Sequence, residues 1–223
     1  DHSEGTSVFC RMYLTESALS IVIADDGIGI FRKISDALKL PDQRQALIEL
    51  SKGKLTTDPS RHSGEGVFFT SRMFDAFMIE ANELQYSHND GDRRDLLKEE
   101  PESIEGTLVW MKVSPNSDRT TKSVFDQFTS GPDDFSFDKT IVPLHLAKYG
   151  NEHLVSRSQA KRLISRFDRF KSVVLDFRGI DEIGQAFADE LFRVYALAHP
   201  EVEISAINMN ELVERMRRRV TSS

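Results

Sequence analysis

Cysteine is almost missing from this chain: 223 residues contain only Cys10. A single thiol closes no internal disulfide, which excludes a disulfide-stapled secreted scaffold. Cys10 stands in the strand-like run from Val8 to Leu14, where a buried structural thiol is expected rather than a nucleophile. Long apolar runs are missing too: none approaches the roughly 20 residues that cross a bilayer. No signal peptide opens the sequence, so a cytoplasmic protein without membrane contact is expected. Basic charge is in deficit, with 29 Lys and Arg against 36 Asp and Glu and a net charge of -7. That balance argues against a general nucleic-acid surface on this segment. Position 1 is Asp rather than an initiator Met, as in a fragment or processed chain. Repeats and low-complexity tracts are absent. What is present is 39% hydrophobic residues, ordinary for a globular chain with one large domain or two ordinary ones.

The most informative stretch is Ala24-Asp25-Asp26-Gly27-Ile28-Gly29-Ile30, directly after the apolar run Leu19-Ser20-Ile21-Val22-Ile23. A strand ending in a carboxylate and two alternate glycines brings bare backbone and one charge up to a ligand. Alone, the pattern also serves as a strand-to-helix turn with a solvated Asp. A second glycine pair, Ser63-Gly64-Glu65-Gly66, opens the helix-like run from Val67 to Phe74. Glycines ahead of a helix leave free N–H groups and positive dipole for a phosphate.

Together the two pairs resemble the G1 and G2 boxes of the GHKL ATPases, the family of gyrase-type topoisomerases, ninety-kilodalton chaperones, histidine kinases and anti-sigma-factor kinases. The resemblance implies that Asp25 accepts a hydrogen bond from the adenine amino group. It further implies that Gly27 and Gly29 form G1 and that Gly64 and Gly66 bind phosphates beneath a mobile lid. The N box of that family carries Glu and an Mg²⁺-holding Asn. Asp1-His2-Ser3 looks like its tail, so the metal ligand and general base are expected upstream of Asp1, and no metal ligand is assigned within these residues. The implied cofactors are ATP and Mg²⁺.

Along the chain, Val8, Cys10, Met12 and Leu14 alternate with Phe9, Arg11 and Tyr13 as in a half-buried strand. Phe31, Ile34, Leu38 and then Ala46, Leu47, Leu50 predict two short helices on either side of Pro41. Residues 51–63 are polar, rich in breakers and without apolar anchors, and read as a loop at the place of the ATP lid. Lys52, Lys54, Thr56, Thr57 and Arg61 are then within reach of phosphates, although Lys54 also fits as a solvated basic side chain. His62 reads as a loop residue rather than a catalyst. Residues 76–81 and 83–86 predict adjacent strands, 105–113 a third, and the charged run 89–95 a hairpin tip. Thr107, after Gly106, resembles a late Gly-Thr whose Thr lines the nucleotide site; it also fits as a plain β-branched strand position.

A breaker-rich segment around a short helix with Val124, Phe125 and Phe128 places the domain boundary near residue 130, giving domains 1–130 and 131–223. The second alternates strand and helix, implying a mostly parallel sheet covered by helices. The runs 155–160, 175–180 and 183–191 resemble the STAS-like domain that follows GHKL modules. Ordinary STAS antagonists carry a phosphorylated Ser where this chain has Gly184-Gln185. Ser156 and Ser158 remain as hydroxyls, with Ser before a helix read as a cap. Arg215, Arg217, Arg218 and Arg219 suit the C-terminal dipole of a last helix. The fold class implied is a GHKL-type α/β sandwich, with a mixed, largely antiparallel sheet and helices on one face, plus a smaller STAS-like α/β domain. The function implied is that of a bacterial signalling ATPase acting on a protein partner or as a homodimer, hydrolysing ATP when the upstream N box is present. An anti-sigma-type serine kinase and a non-catalytic nucleotide sensor are the alternatives.

Overall fold

The order of strands in the first sheet decides where the cavity described below can form. The structure, a computed structural model, describes residues 3–58, 60–91, 94–131, 136–148 and 152–222. The N-box reading of Asp1 and His2 lies outside the described residues. The chain divides into two units, Asp1–Val124 and Phe125–Ser223.

In the first unit β1 (Val8–Leu14) and β2 (Leu19–Asp25) form an antiparallel hairpin closed by Thr15 N–H on Ala18 O at 2.9 Å. Two helices follow, α1 (Ile30–Leu38) and α2 (Gln43–Lys52). Lys39, at φ 53, ends the first, and the Asp42 side chain caps the second by accepting Gln45 N–H at 2.8 Å. Then come α3 (Gly66–Met73), β3 (Ala76–Asn89) and β4 (Arg94–Val113). The sheet order is β1-β2-β4-β3, antiparallel throughout. All three helices pack against β3, and Phe31, Ala46, Leu47, Phe68, Phe77 and Ile79 form the buried core.

That order corrects the reading of β1. The strand is exposed along its whole length, and Cys10 is an exposed free thiol rather than a buried one. The reason is topological: the helices cover β3, and β1 lies at the opposite edge. Two strands expected over residues 76–86 are one, because Asn82, at φ 56, absorbs a bulge without ending the ladder. The partner strand is longer than expected, pairing Asn89 with Arg94. The loop expected from residue 51 begins later: Ser51 and Lys52 are helical and buried, Lys52 Nζ pairs with Glu49 Oε1 at 2.8 Å, and Gly53 at φ 84 caps the helix.

Asp95, expected at a charged hairpin tip, is buried. Its carboxylate accepts Arg72 Nη2 at 3.0 Å and the Tyr86 hydroxyl at 2.8 Å, and lies 2.7 Å from His88 Nδ1. Arg72 also donates to the Tyr86 oxygen at 3.0 Å and stands 4.2 Å over the Phe68 ring. Burial works to raise the Asp95 pKa, but the Arg72 charge and the His88 and Tyr86 hydrogen bonds outweigh it and hold the carboxyl below the usual range. Burial pushes the Tyr86 phenol up.

The second unit, beyond α4 (Thr121–Phe125), contains β5 (Lys139–Pro143), α5 (Arg157–Ile164) and β6 (Ser172–Asp176). It continues with α6 (Gln185–Asp189), a π-helical turn (Glu190–Val194) and α7 (Tyr195–Ala198). β7 (Glu203–Ile207) and α8 (Glu211–Thr221) complete it. The three strands are parallel in the order β5-β6-β7. β6 is almost wholly buried, as a central parallel strand must be. The last helix buries Val213 and Val220, and Leu212 is exposed. Thus both antiparallel and parallel α/β units are present. Among the described residues, no helix is long and apolar enough to cross a membrane.

Two measurements check this description. Asp95→Asn leaves Arg72 buried without a counter-charge and should cost the first unit about 3 kcal/mol at neutral pH in denaturant titrations. Because the folded pKa of Asp95 is depressed, its contribution is complete above the unfolded value near ~3.9 and is lost as pH falls toward the folded one. The cost of the variant should therefore shrink in acid; a cost independent of pH would contradict the ionised network. Cys10 should react with a thiol reagent in the native chain as fast as after denaturation, and a native-state lag would place β1 inside.

Candidate functional site

The end of β2 carries the first glycine motif. Asp25 lies opposite Thr107 of β4 in the ladder, and its Oδ1 accepts Gly27 N–H at 2.9 Å. A carboxylate keeps lone pairs beyond that one bond, so Asp25 remains an acceptor-only group for a ligand. Thr107 is buried, and its Oγ1 accepts the N–H of Ile30, the first residue of α1, at 3.0 Å. Strand β4 thereby grips the start of the helix that follows the motif. The hydroxyl proton of Thr107 is left to donate.

Gly29 caps α1 at φ 86, in the left-handed region. A Cβ there would stand 2.5 Å from Asn82 Oδ1. Asn82 also donates from Nδ2 to Ile28 O at 3.4 Å. The irregular pairing of β3 with β4 at Asn82 therefore sets that side chain against the glycine turn. From the other side Ser3 O accepts Ile28 N–H at 3.0 Å, and a Cβ on Gly27 would meet that oxygen at 2.0 Å. Asp26 has a different task from its neighbour: it accepts Ser7 N–H at 2.9 Å, the Thr6 hydroxyl at 2.8 Å and Thr6 N–H at 2.7 Å. Those bonds, Ser7 foremost, lower its pKa to about 2. Residues 3–7 are thus strapped across the motif.

The second glycine pair lines the same cavity as Asp25 and Gly29, of about 620 Å³. Gly64, at φ 77, lies against the Leu55 backbone, where a Cβ would approach to 2.5 Å; Leu55 N–H in turn donates to Gly64 O at 3.1 Å. Gly66 starts α3, and a Cβ there would meet nothing within 4 Å. The side chain of Glu65 makes no cap to α3, so the first N–H groups of that helix are not taken by it. Asp25, Gly29, Gly64, Gly66 and Thr107 all line this one cavity, whereas Gly27 and Lys54 do not. Its apolar wall includes Ile30, Ile34, Leu50, Leu55, Val67 and Val109. Thr56, Thr57, Arg61 and His62 of the loop line it as well. Lys52 is corrected from a phosphate candidate to a buried partner of Glu49. The loop does have an apolar anchor, since Leu55 is buried.

Sequence reasoning missed Lys33, Asn82 and Ser3. Lys33 was legible in principle, four residues past Gly29 and in the first turn of α1; Asn82 was not, because the irregular pairing of β3 with β4 brings it to the motif. A ligand here would find an acceptor-only carboxylate, apolar walls and helix-terminal amides in a pocket of ordinary ligand size. Among the described residues, no group of three or more His, Cys, Asp or Glu is placed to hold a metal ion.

In the second unit, Ser156 Oγ accepts Gln159 N–H at 3.2 Å while Gln159 Oε1 accepts Ser156 N–H at 2.9 Å, a capping box. Gly184 caps α6 and Gln185 is its first residue. Asp189 pairs with Arg157 at 3.1 Å and Arg193 at 2.5 Å. Hydrogen bonding by Arg193 lowers the Asp189 pKa.

No curated protein matches the chain. Residues 159–214, about a quarter of it, match the STAS-like domain of unknown function (DUF4325). The match lies wholly in the second unit, running from α5 into α8. A STAS-like domain of this kind points to a regulatory or signalling role.

Proposed function

We propose that this chain is a nucleotide-binding regulatory module, taking ATP in the cavity of the first unit and using the STAS-like unit to act on a protein partner or a second copy. The observation that carries the reading is the meeting of two motifs distant in sequence: Asp25 and Gly29 on one side and Gly64 and Gly66 on the other line the same cavity. In this reading the Asp25 carboxylate accepts the adenine amino group, and Thr107 donates alongside it. Ile30, Ile34 and Val109 flank the ring. The first turn of α3 and the bare Gly66 receive the phosphates. Bound ATP supplies a phosphoanhydride; the residues of this chain bind it, orient it and exclude water. No residue of this chain is assigned to Mg²⁺ or to the base for hydrolysis. Gln185 has no hydroxyl to phosphorylate, and Ser156 is engaged as a cap, so the STAS-like unit is read as responding to nucleotide rather than to phosphorylation at the usual position.

Asp25→Asn should weaken ATP binding by roughly ten- to a hundredfold in calorimetric titration while leaving the circular dichroism unchanged. An amide can turn its NH₂ toward the adenine amino group and leave both unsatisfied. Asp26→Asn should leave affinity nearly unchanged, because that side chain holds Thr6 and Ser7. Equal ATP affinity for wild type and Asp25→Asn would remove the adenine contact and this reading with it.

The loop gives a second check by amide hydrogen exchange. Amides in 56–63 should exchange fast in the free chain and slow when ATP is added. The Leu55 amide should be protected in both states, since it bonds to Gly64 O. Protection of 56–63 that ATP does not change would argue against a lid.

A further inference from the structure

Among the described residues, two cations line the cavity, Lys33 and Arg61. Each lies against a carboxylate that is not in the lining. Lys33 Nζ is 2.7 Å from Glu4 Oε1, and Arg61 Nε is 3.6 Å from Asp58 Oδ2. Lys33 is the better placed of the two, with its side chain 24% exposed against 73% for Arg61. It rises from the first turn of α1, its own N–H bonded to Gly29 O at 3.0 Å. Helical side chains lean toward the N-terminus, so its stem is directed back toward the glycine turn.

The partner carboxylate is held differently. Glu4 is 60% exposed and sits at φ 60, a region non-glycine residues seldom occupy. The strap on which it stands is fixed independently on either side, by Ser3 O on Ile28 N–H and by Thr6 and Ser7 on Asp26. Glu4 can therefore release Lys33 without unfastening the strap.

We infer that Lys33 is a phosphate-binding residue of this cavity and that Glu4 is its resident counter-ion, exchanged for the phosphate chain of a nucleoside polyphosphate on binding. The inference rests on the nucleotide reading above. An exposed ion pair is weak, whereas an ammonium facing a multiply charged phosphate inside a cavity makes a strong charge-assisted bond, so the exchange runs toward ligand. Glu4 then sets affinity from outside the cavity: it competes for Lys33 against an anionic ligand and is indifferent to a neutral one.

Titration of the chain with ATP and with adenosine, for wild type, Lys33→Gln and Glu4→Gln, tests this. Lys33→Gln should weaken ATP by about tenfold and leave adenosine unchanged, and Glu4→Gln should tighten ATP by about threefold and also leave adenosine unchanged. Adenosine binding serves as the internal control for folding. Unaltered ATP affinity in both variants would overturn the inference while leaving the nucleotide reading in place. Equal weakening of ATP and adenosine by Lys33→Gln would overturn it too, since Lys33 would then shape the pocket rather than touch phosphate. Wild type binding neither probe would remove the nucleotide reading and this inference together.

Discussion

The pairing of β2 with β4 is the constraint on which the first unit depends. It sets Asp25 opposite Thr107, and from there Thr107 Oγ1 takes the Ile30 N–H that opens α1. One register thus aligns the carboxylate, the hydroxyl and the start of a helix. A slip by one residue would turn Thr107 to the other face and leave that N–H without its acceptor. The glycine turn between strand and helix is then clamped from two directions, by the Ser3 carbonyl and by Asn82 from the bulge. Such over-determination is what lets a left-handed Gly29 persist in one conformation.

The second wall of the cavity is positioned by burial rather than by pairing. α3 is only eight residues long, too short to stand alone in water. Near its C-terminus Arg72 is locked to Asp95, Tyr86 and the Phe68 face. The network is well satisfied, and a buried charge network of that kind stabilises one arrangement strongly because its members cannot separate without leaving uncompensated charge. Holding α3 at that end holds Gly66 and Val67 at the other, where the cavity begins.

The STAS-like unit follows a simpler logic, with a buried central strand flanked by two parallel neighbours. Its helix after β6 starts at Gly184, against the Val155 backbone that a Cβ would touch at 2.7 Å, and passes through a π turn before α7. π turns recur where a helix has been adapted for function. Here the turn carries Glu190, a buried acid, and is followed by Tyr195, whose phenol burial raises to about 12.

Local patterning was enough to mark both glycine pairs, the break between α1 and α2, the capping role of Ser156 and the parallel α/β character of the second unit. Each of these depends on neighbours within a few residues, through backbone dihedrals, caps and periodicity. What lay beyond local pattern was whatever depends on which strand neighbours which. The alternation in β1 promised a buried face, but the sheet order puts that strand at the edge away from the helices, so Cys10 is exposed. The charges of residues 89–95 suggested a solvated tip, yet the hairpin register carries Asp95 inward to Arg72. Polar Asn82 looked like the gap between two strands, and a bulge made it a support for Gly29. Long-range pairing and burial alone choose among such outcomes, because side chains far apart in sequence feel one another only after the chain has closed around them.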